Sequence, residues 1–181
     1  MIANAVCNTY IELGANAYNH GDDSMGDTML DAALQEAQRL ACTKHEPGPL
    51  FHKLARVYYQ QNKISKAEAV YEQAVALYDR MFEPDESSFS LILFNLAELY
   101  FSQQKYEQAL PLYARSIIMA ERVHGRNNLI LERRLLKFAW ISSHLKHLEQ
   151  ADEAYSRVTQ LRHANKRARV DALESRFVSA W

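Results

Sequence analysis

The chain has 181 residues, 48% of them hydrophobic and 24% charged, enough for a buried core of ordinary size. Its 5 glycines and 4 prolines, under half of the roughly 7% and 5% of average usage, exclude turn-rich sandwiches and barrels and Gly-rich nucleotide folds, and leave an all-helical class. A formal net charge of −1 excludes a dominant basic field for nucleic acid, although the charge is uneven: −6 over residues 1–89 and +5 over residues 90–181.

Taken in chain order, the apolar spacing predicts nine helices. The first pair covers residues 1–20 and 24–43, with Leu13, Gly14, Ala17 and Tyr18 on the first helix and Leu30, Ala33, Leu34, Ala37 and Leu40 along one side of the second. The next pairs cover 48–61 with 64–82, 86–103 with 106–124, and 127–146 with 148–164. A last amphipathic helix is expected at 166–181, where Val170, Leu173, Phe177 and Trp181 recur at helical spacing. Cys7 and Cys42 fall within apolar helical patterns and read as small buried residues of a reducing compartment, with a bridge between neighbouring helices as the alternative. Residues Met1 to Asn8 have no basic start and no long apolar core, so no signal peptide is expected there. No window approaches 18 consecutive apolar residues, and the expected address is cytoplasmic, without membrane contact.

The helices repeat. A shift of 42 residues carries Leu54-Ala55-Arg56-Val57-Tyr58-Tyr59 onto Leu96-Ala97-Glu98-Leu99-Tyr100-Phe101 and then onto Phe138-Ala139-Trp140-Ile141-Ser142-Ser143. Thirteen residues after each Leu or Phe stands Ala67, Ala109 or Ala151, and four further on Tyr71, Tyr113 or Tyr155. Small residues let two antiparallel helices approach and the aromatic rings fill the space beside them, so these positions read as packing. One helix pair cannot bury its stripe alone, so neighbours must stack into an α-solenoid. The first unit aligns at a shift of 41, with a looser turn at Gly21-Asp22-Asp23-Ser24.

These residues resemble the tetratricopeptide repeat, with Leu-Gly/Ala-x-x-Tyr on the first helix and Ala-x-x-x-Tyr/Phe-x-x-Ala on the second. The 42-residue spacing is similar to the kinesin-light-chain-type variant, best seen in Phe94-Asn95-Leu96-Ala97-Glu98-Leu99-Tyr100 and in Gln103 to Tyr113, including Pro111. The resemblance implies one all-α domain over 1–181, a right-handed α-solenoid with a degenerate repeat at 1–47, repeats at 48–85, 86–126 and 127–164, and a capping helix at 166–181. It also implies a concave face that grips peptides, and an Asn95 that holds a peptide backbone.

Other chemistry is weakly signalled. His144 and His147 stand three apart but lack a third ligand, and Asp22, Asp23, Asp27 and Asp31 miss the spacing of a calcium loop, so no metal is expected. No phosphate loop, nucleophile elbow or zinc-protease motif occurs. The expectation is a chain without catalytic residues, enzymatic activity or cofactor. Lys166, Arg167 and Arg169 read as a solvated helix end rather than a nucleic-acid site.

Function is expected on the face of each first helix turned away from its packed side. About 100° per residue places there His52, Lys53, Arg56 and Tyr59, then Phe94, Asn95, Glu98 and Phe101, then Lys137, Trp140 and His144, with Tyr18 from the first unit. Aromatic rings beside Lys53, Arg56 and Lys137 suit a protein or linear peptide carrying acidic and apolar side chains. Two other readings stand beside this adaptor: a self-assembling unit in which one copy's groove or acidic end takes another's basic end, and a peptide-sensing fragment of a larger machine.

Overall fold

The computed structural model describes residues 2–41, 47–81 and 85–178, with side chains over 4–40, 47–81 and 85–171. Among the described residues there are eight helices and no strand: α1 (Ile2–Asn19), α2 (Asp23–Ala41), α3 (Gly48–Gln60), α4 (Ile64–Tyr78), α5 (Glu86–Ser102), α6 (Tyr106–His124), α7 (Ile130–His144) and α8 (Leu148–Val178).

The ranges agree with expectation to within about four residues except at the end. The helices expected at 148–164 and 166–181 are continuous to Val178, so the described residues form eight helices and not nine. His163-Ala164-Asn165-Lys166 holds neither glycine nor proline, and nothing there ends a helix. Val170 is exposed. Leu173, Phe177 and Trp181, the rest of the expected capping stripe, lie outside the described side chains, as does Cys42.

Four helix pairs share one turn. Gly21, Asn62, Gln104 and Lys146 each adopt a left-handed backbone, at φ 80°, 57°, 61° and 64°. The amide of the next residue closes back onto the first helix in every case: Asp22 to the Ala17 carbonyl, Lys63 to Tyr58, Lys105 to Tyr100 and His147 to Ser142. This is the hydrogen-bond pattern of a helix C-cap that reverses the chain. It sets the repeat register at spacings of 41, 42 and 42 residues, so the first pair turns as the others do.

The chain divides into two compact units, Met1–Leu99 and Tyr100–Trp181. In the first unit, α1 packs on α2, α3 on α4, and both α1 and α2 touch α3. Cys7, Ile11, Leu30 and Ala33 meet in the first pair, and Leu54, Ala55, Tyr58, Ala67, Tyr71 and Ala74 carry the small and aromatic register of the second, all buried. The Cys7 thiol donates to the Ala33 carbonyl at 3.3 Å, and burial pushes its pKa up to about 11, which keeps it protonated. Where α2 and α4 begin, the Asp27 carboxylate takes Lys66 at 2.6 Å and Lys63 at 3.2 Å and accepts the Tyr18 hydroxyl. Burial alone would raise its pKa, but those three donors outweigh it and hold it down to about 2.

In the second unit, α6 packs on α7 and α7 on α8 around Ile117, Ala120, Leu131, Leu135, Ala139, Ala154, Val158 and Leu161. Ala109 and Tyr113 are fully buried packing residues, as their spacing predicts. Tyr155 departs from the pattern. Its equivalents Tyr71 and Tyr113 are 5% and 0% exposed, whereas Tyr155 is 40% exposed.

Candidate functional site

The face expected to bind is divided between the two units.

In the first unit Tyr18 leaves that face, correcting the expectation: it is 6% exposed. By the turn register Tyr18 corresponds to Tyr59 and Ala17 to Tyr58. With alanine at the inner position and Gly26 opposite, the Tyr18 ring turns in to fill the gap, so close that a Cβ on Gly26 would lie 2.6 Å from it. The ring is then held by its bond to Asp27 and by the Lys63 ammonium 4.4 Å above it.

His52 is half-buried, and its Nδ1 lies 3.0 Å from both Asn95 Nδ2 and the Tyr71 hydroxyl; the amide nitrogen can only donate, so Nδ1 accepts there and shares its single lone pair with the hydroxyl. That arrangement requires a lone pair on Nδ1 and the proton on Nε2, a tautomer assigned from the network. Burial, then the charge of Arg56, lowers the His52 pKa and favours the neutral ring. Asn95 is thereby engaged inside the fold through one N–H. Lys53 donates to Asn8 Oδ1 at 2.8 Å. Arg56 is exposed and Tyr59 is 50% exposed, while Phe94 and Glu98 are half-buried and engaged by neighbouring groups.

The His52 network predicts a pH effect. The unfolded chain takes up the imidazole proton near pH 6.5 and the native state only below that. Stability due to His52 is therefore present above pH 6.5 and is lost as pH falls through the native pKa. Urea unfolding from pH 7.5 to 5 should show a flatter profile for His52→Gln, which keeps an acceptor and does not titrate. Parallel profiles would mean that the ring is not held neutral.

In the second unit four rings meet. Trp140 stacks on His144 at 5.3 Å and 7°, one helical turn apart on α7. Tyr106 meets both edge-on, at 5.3 and 4.7 Å, and Phe101 meets Trp140 edge-on at 5.3 Å. The Lys137 ammonium lies 3.6 Å over the Phe101 ring. Such ring pairs fix one another's orientation, which presents Trp140, 42% exposed, as a preset flat surface.

Beside these rings lies an open groove of about 650 Å³, lined by Phe101, Leu129, Glu132, Arg133, Leu136, Lys137, Trp140 and Tyr155. The charged side chains of the groove are Arg133, Lys137 and Glu132, the last bridged by Arg162 at 2.6 Å, so cations outnumber carboxylates there. The chemistry on offer is apolar contact and attraction of a carboxylate. Among the described residues no cluster of metal ligands occurs, and no helix is long and apolar enough to cross a membrane.

Of the residues expected on the binding face, Phe101, Lys137, Trp140 and His144 are brought together. Leu129, Arg133, Tyr106 and Tyr155 were missed. Leu129 and Arg133 had a signal, since stepping back from Lys137 by one and two turns of α7's face reaches them. Tyr155 had none, because its spacing matches that of the buried tyrosines.

Two family models, both for the tetratricopeptide repeat, match residues 50–85 and 88–163. Among solved structures the chain is similar to BtubC (BKLC) from P. vanneervenii, with 19% identity, a TM-score of 0.56 and 74% of this chain covered. The chain spans 54% of that protein. It is also similar to kinesin light chain TPR-like repeats of Podosopora anserina, at 16% identity and a TM-score of 0.61 over 89% of this chain and 77% of that one. PlcR of Bacillus thuringiensis, in complex with the peptide PapR7 and DNA, matches at 14% identity and a TM-score of 0.53 over 95% of this chain and 70% of its own. These identities establish likeness of fold alone. No curated protein matches the sequence.

Proposed function

The chain belongs to the tetratricopeptide repeat family, and from that premise we propose that it is a non-catalytic scaffold that seats a polypeptide segment in the groove of the Tyr100–Trp181 unit. The observation that carries this reading is the conjunction on α7 of an exposed, preoriented Trp140 with Lys137 and Arg133 in one open groove. Flat aromatic area supplies binding energy at little cost in side-chain entropy, and the cations select a segment bearing a carboxylate beside bulky apolar side chains. PlcR, a fold neighbour, binds the peptide PapR7, which supports a polypeptide as the class of ligand. Lys53, Arg56 and Tyr59 of the first unit offer a second surface of the same mixed character, and Asn95, His52, Phe94 and Glu98 belong to its supporting network rather than to a bare grip on a backbone.

Random-peptide display on the immobilised protein tests this. Peptides pairing acidic with large apolar residues should enrich on the parent. They should lose roughly tenfold to thirtyfold in affinity on Trp140→Ala/Lys137→Glu, the loss expected when a hot spot of about 2 kcal/mol is removed. The Lys137 share of that loss should shrink at high salt. Selected peptides that bind the double variant as tightly as the parent would show that the groove is not the seat.

A further inference from the structure

We infer that the segment the groove takes is α1 of a second copy of this chain, so that copies stack head to tail. This rests on the groove being a polypeptide seat, as proposed above, and goes on to name its occupant.

The argument starts from the shared turn. Counting back from Gly21, Asn62, Gln104 and Lys146, Glu12 corresponds to Lys53, Asn95 and Lys137, and Asn8 to Pro49, Leu91 and Arg133. Within the first unit two contacts show how one repeat's first helix meets the next repeat's: Lys53 reaches Asn8 at 2.8 Å, and Asn95 reaches His52 at 3.0 Å, where His52 covers Tyr71. The equivalents of Asn8, His52 and Tyr71 in the last repeat are Arg133, Leu136 and Tyr155. All three line the groove, and Tyr155 is 40% exposed where Tyr71 is 5% exposed. The groove is therefore the berth of one more first helix.

The outward face of α1 fits that berth. Val6 and Leu13 are 40% and 46% exposed, while their equivalents in α5, Phe89 and Leu96, are 2% and 3% exposed. Phe89 uses that position to stack on Tyr78 of the preceding repeat at 5.0 Å. Seated in the same register, α1 of a second copy would place Glu12 against Arg133, where Lys53 meets Asn8, and over Leu136, where Asn95 meets His52. Charge agrees at longer range: residues 1–89 carry −6 and residues 90–181 carry +5, which favours head to tail over like ends together. Such a contact is heterologous, so it forms either rings or open stacks whose length grows with concentration.

Sedimentation equilibrium on the whole chain, at low and high salt, tests the inference. The parent should rise from its 20.9 kDa monomer mass at low concentration to roughly twice that or more at high concentration, less so at high salt. Glu12→Arg alone and Arg133→Glu alone, each checked for parental circular dichroism, should stay monomeric, because each sets like charges against one another across the contact. Mixed together they should associate again, because the new cation on α1 of one variant meets the new carboxylate in the groove of the other. Leu13→Ser, an exposed change that leaves the charges alone, should also weaken association. A parent that stays monomeric throughout while the groove still selects peptides overturns the stacking and leaves the binding reading intact. Association that survives Arg133→Glu and Glu12→Arg overturns the stated contact, and absent groove-dependent peptides would overturn the binding reading instead.

Discussion

Gly48→Val should unfold the first unit at markedly lower urea than the parent, and Gly48→Ala should do so to a smaller degree. Gly48 is buried and opens α3. A Cβ built there would lie 2.4 Å from Ser88 Cβ and 2.5 Å from the Tyr78 hydroxyl oxygen. Real Cβ atoms do not come so near, and the first of these neighbours is fixed to the backbone of α5, so the start of α3 and α5 must move apart. Overpacking of this kind costs roughly 1–3 kcal/mol, occasionally more. A helix position gives back up to about 1 kcal/mol when glycine becomes alanine, which moderates the Ala variant only. The stacked Tyr78 and Phe89 rings stand beside the clash, so their contact would loosen with it. Midpoints unchanged for both variants would show that α3 and α5 do not meet as described.

The repeat was legible because its signal is physical necessity. Ala67, Ala109, Tyr71 and Tyr113 are small or aromatic where two helices must touch, and they are buried. The turn at residues 21, 62, 104 and 146 was legible as a polar break, though not as a common left-handed residue, since only the first of the four is glycine. Three things could not be read from a single register. Tyr18 turns inward because Ala17 and Gly26 leave a gap, a compensation between helices that spacing along one helix does not reveal. The unbroken α8 follows from the lack of any breaker near Asn165, against an expectation set by repeat length. Tyr155 keeps the packing spacing of Tyr71 and Tyr113 but is 40% exposed, and spacing along one helix does not show what lies over a ring. Of the candidate site, Phe101, Trp140, His144 and Lys137 were foreseeable from helical facing, whereas Tyr106 reaches them from the second helix of its pair and the partners that restrain Asn95 and His52 come from three different helices.

Arg134→Ala should be among the most damaging single changes in the second unit, costing about 3–5 kcal/mol. Arg134 is 2% exposed on α7, and its Nη1 donates to the Ser116 carbonyl of α6 at 2.7 Å. Desolvation lowers its pKa to about 10, so the guanidinium still carries its charge at neutral pH. A charge survives such burial only where hydrogen bonds replace its water, and the bond to the Ser116 carbonyl ties α7 to α6. Truncation removes the bond to the Ser116 carbonyl and opens a cavity where the stem lay. Set against the roughly 5–15 kcal/mol that stabilises a typical domain, the loss is large enough to populate unfolded chains at rest. Arg134→Met, which keeps the stem and loses the donors, should recover part of it and cost about 1–3 kcal/mol. The two variants separate packing from bonding, and urea midpoints within about 0.5 kcal/mol of the parent for both would mean that neither matters. Arg134 is adjacent in sequence to Arg133 and precedes Lys137 by three residues on the same helix. A loosened α7 should therefore also weaken peptides selected by the groove, even for Arg134→Met at temperatures where it remains folded.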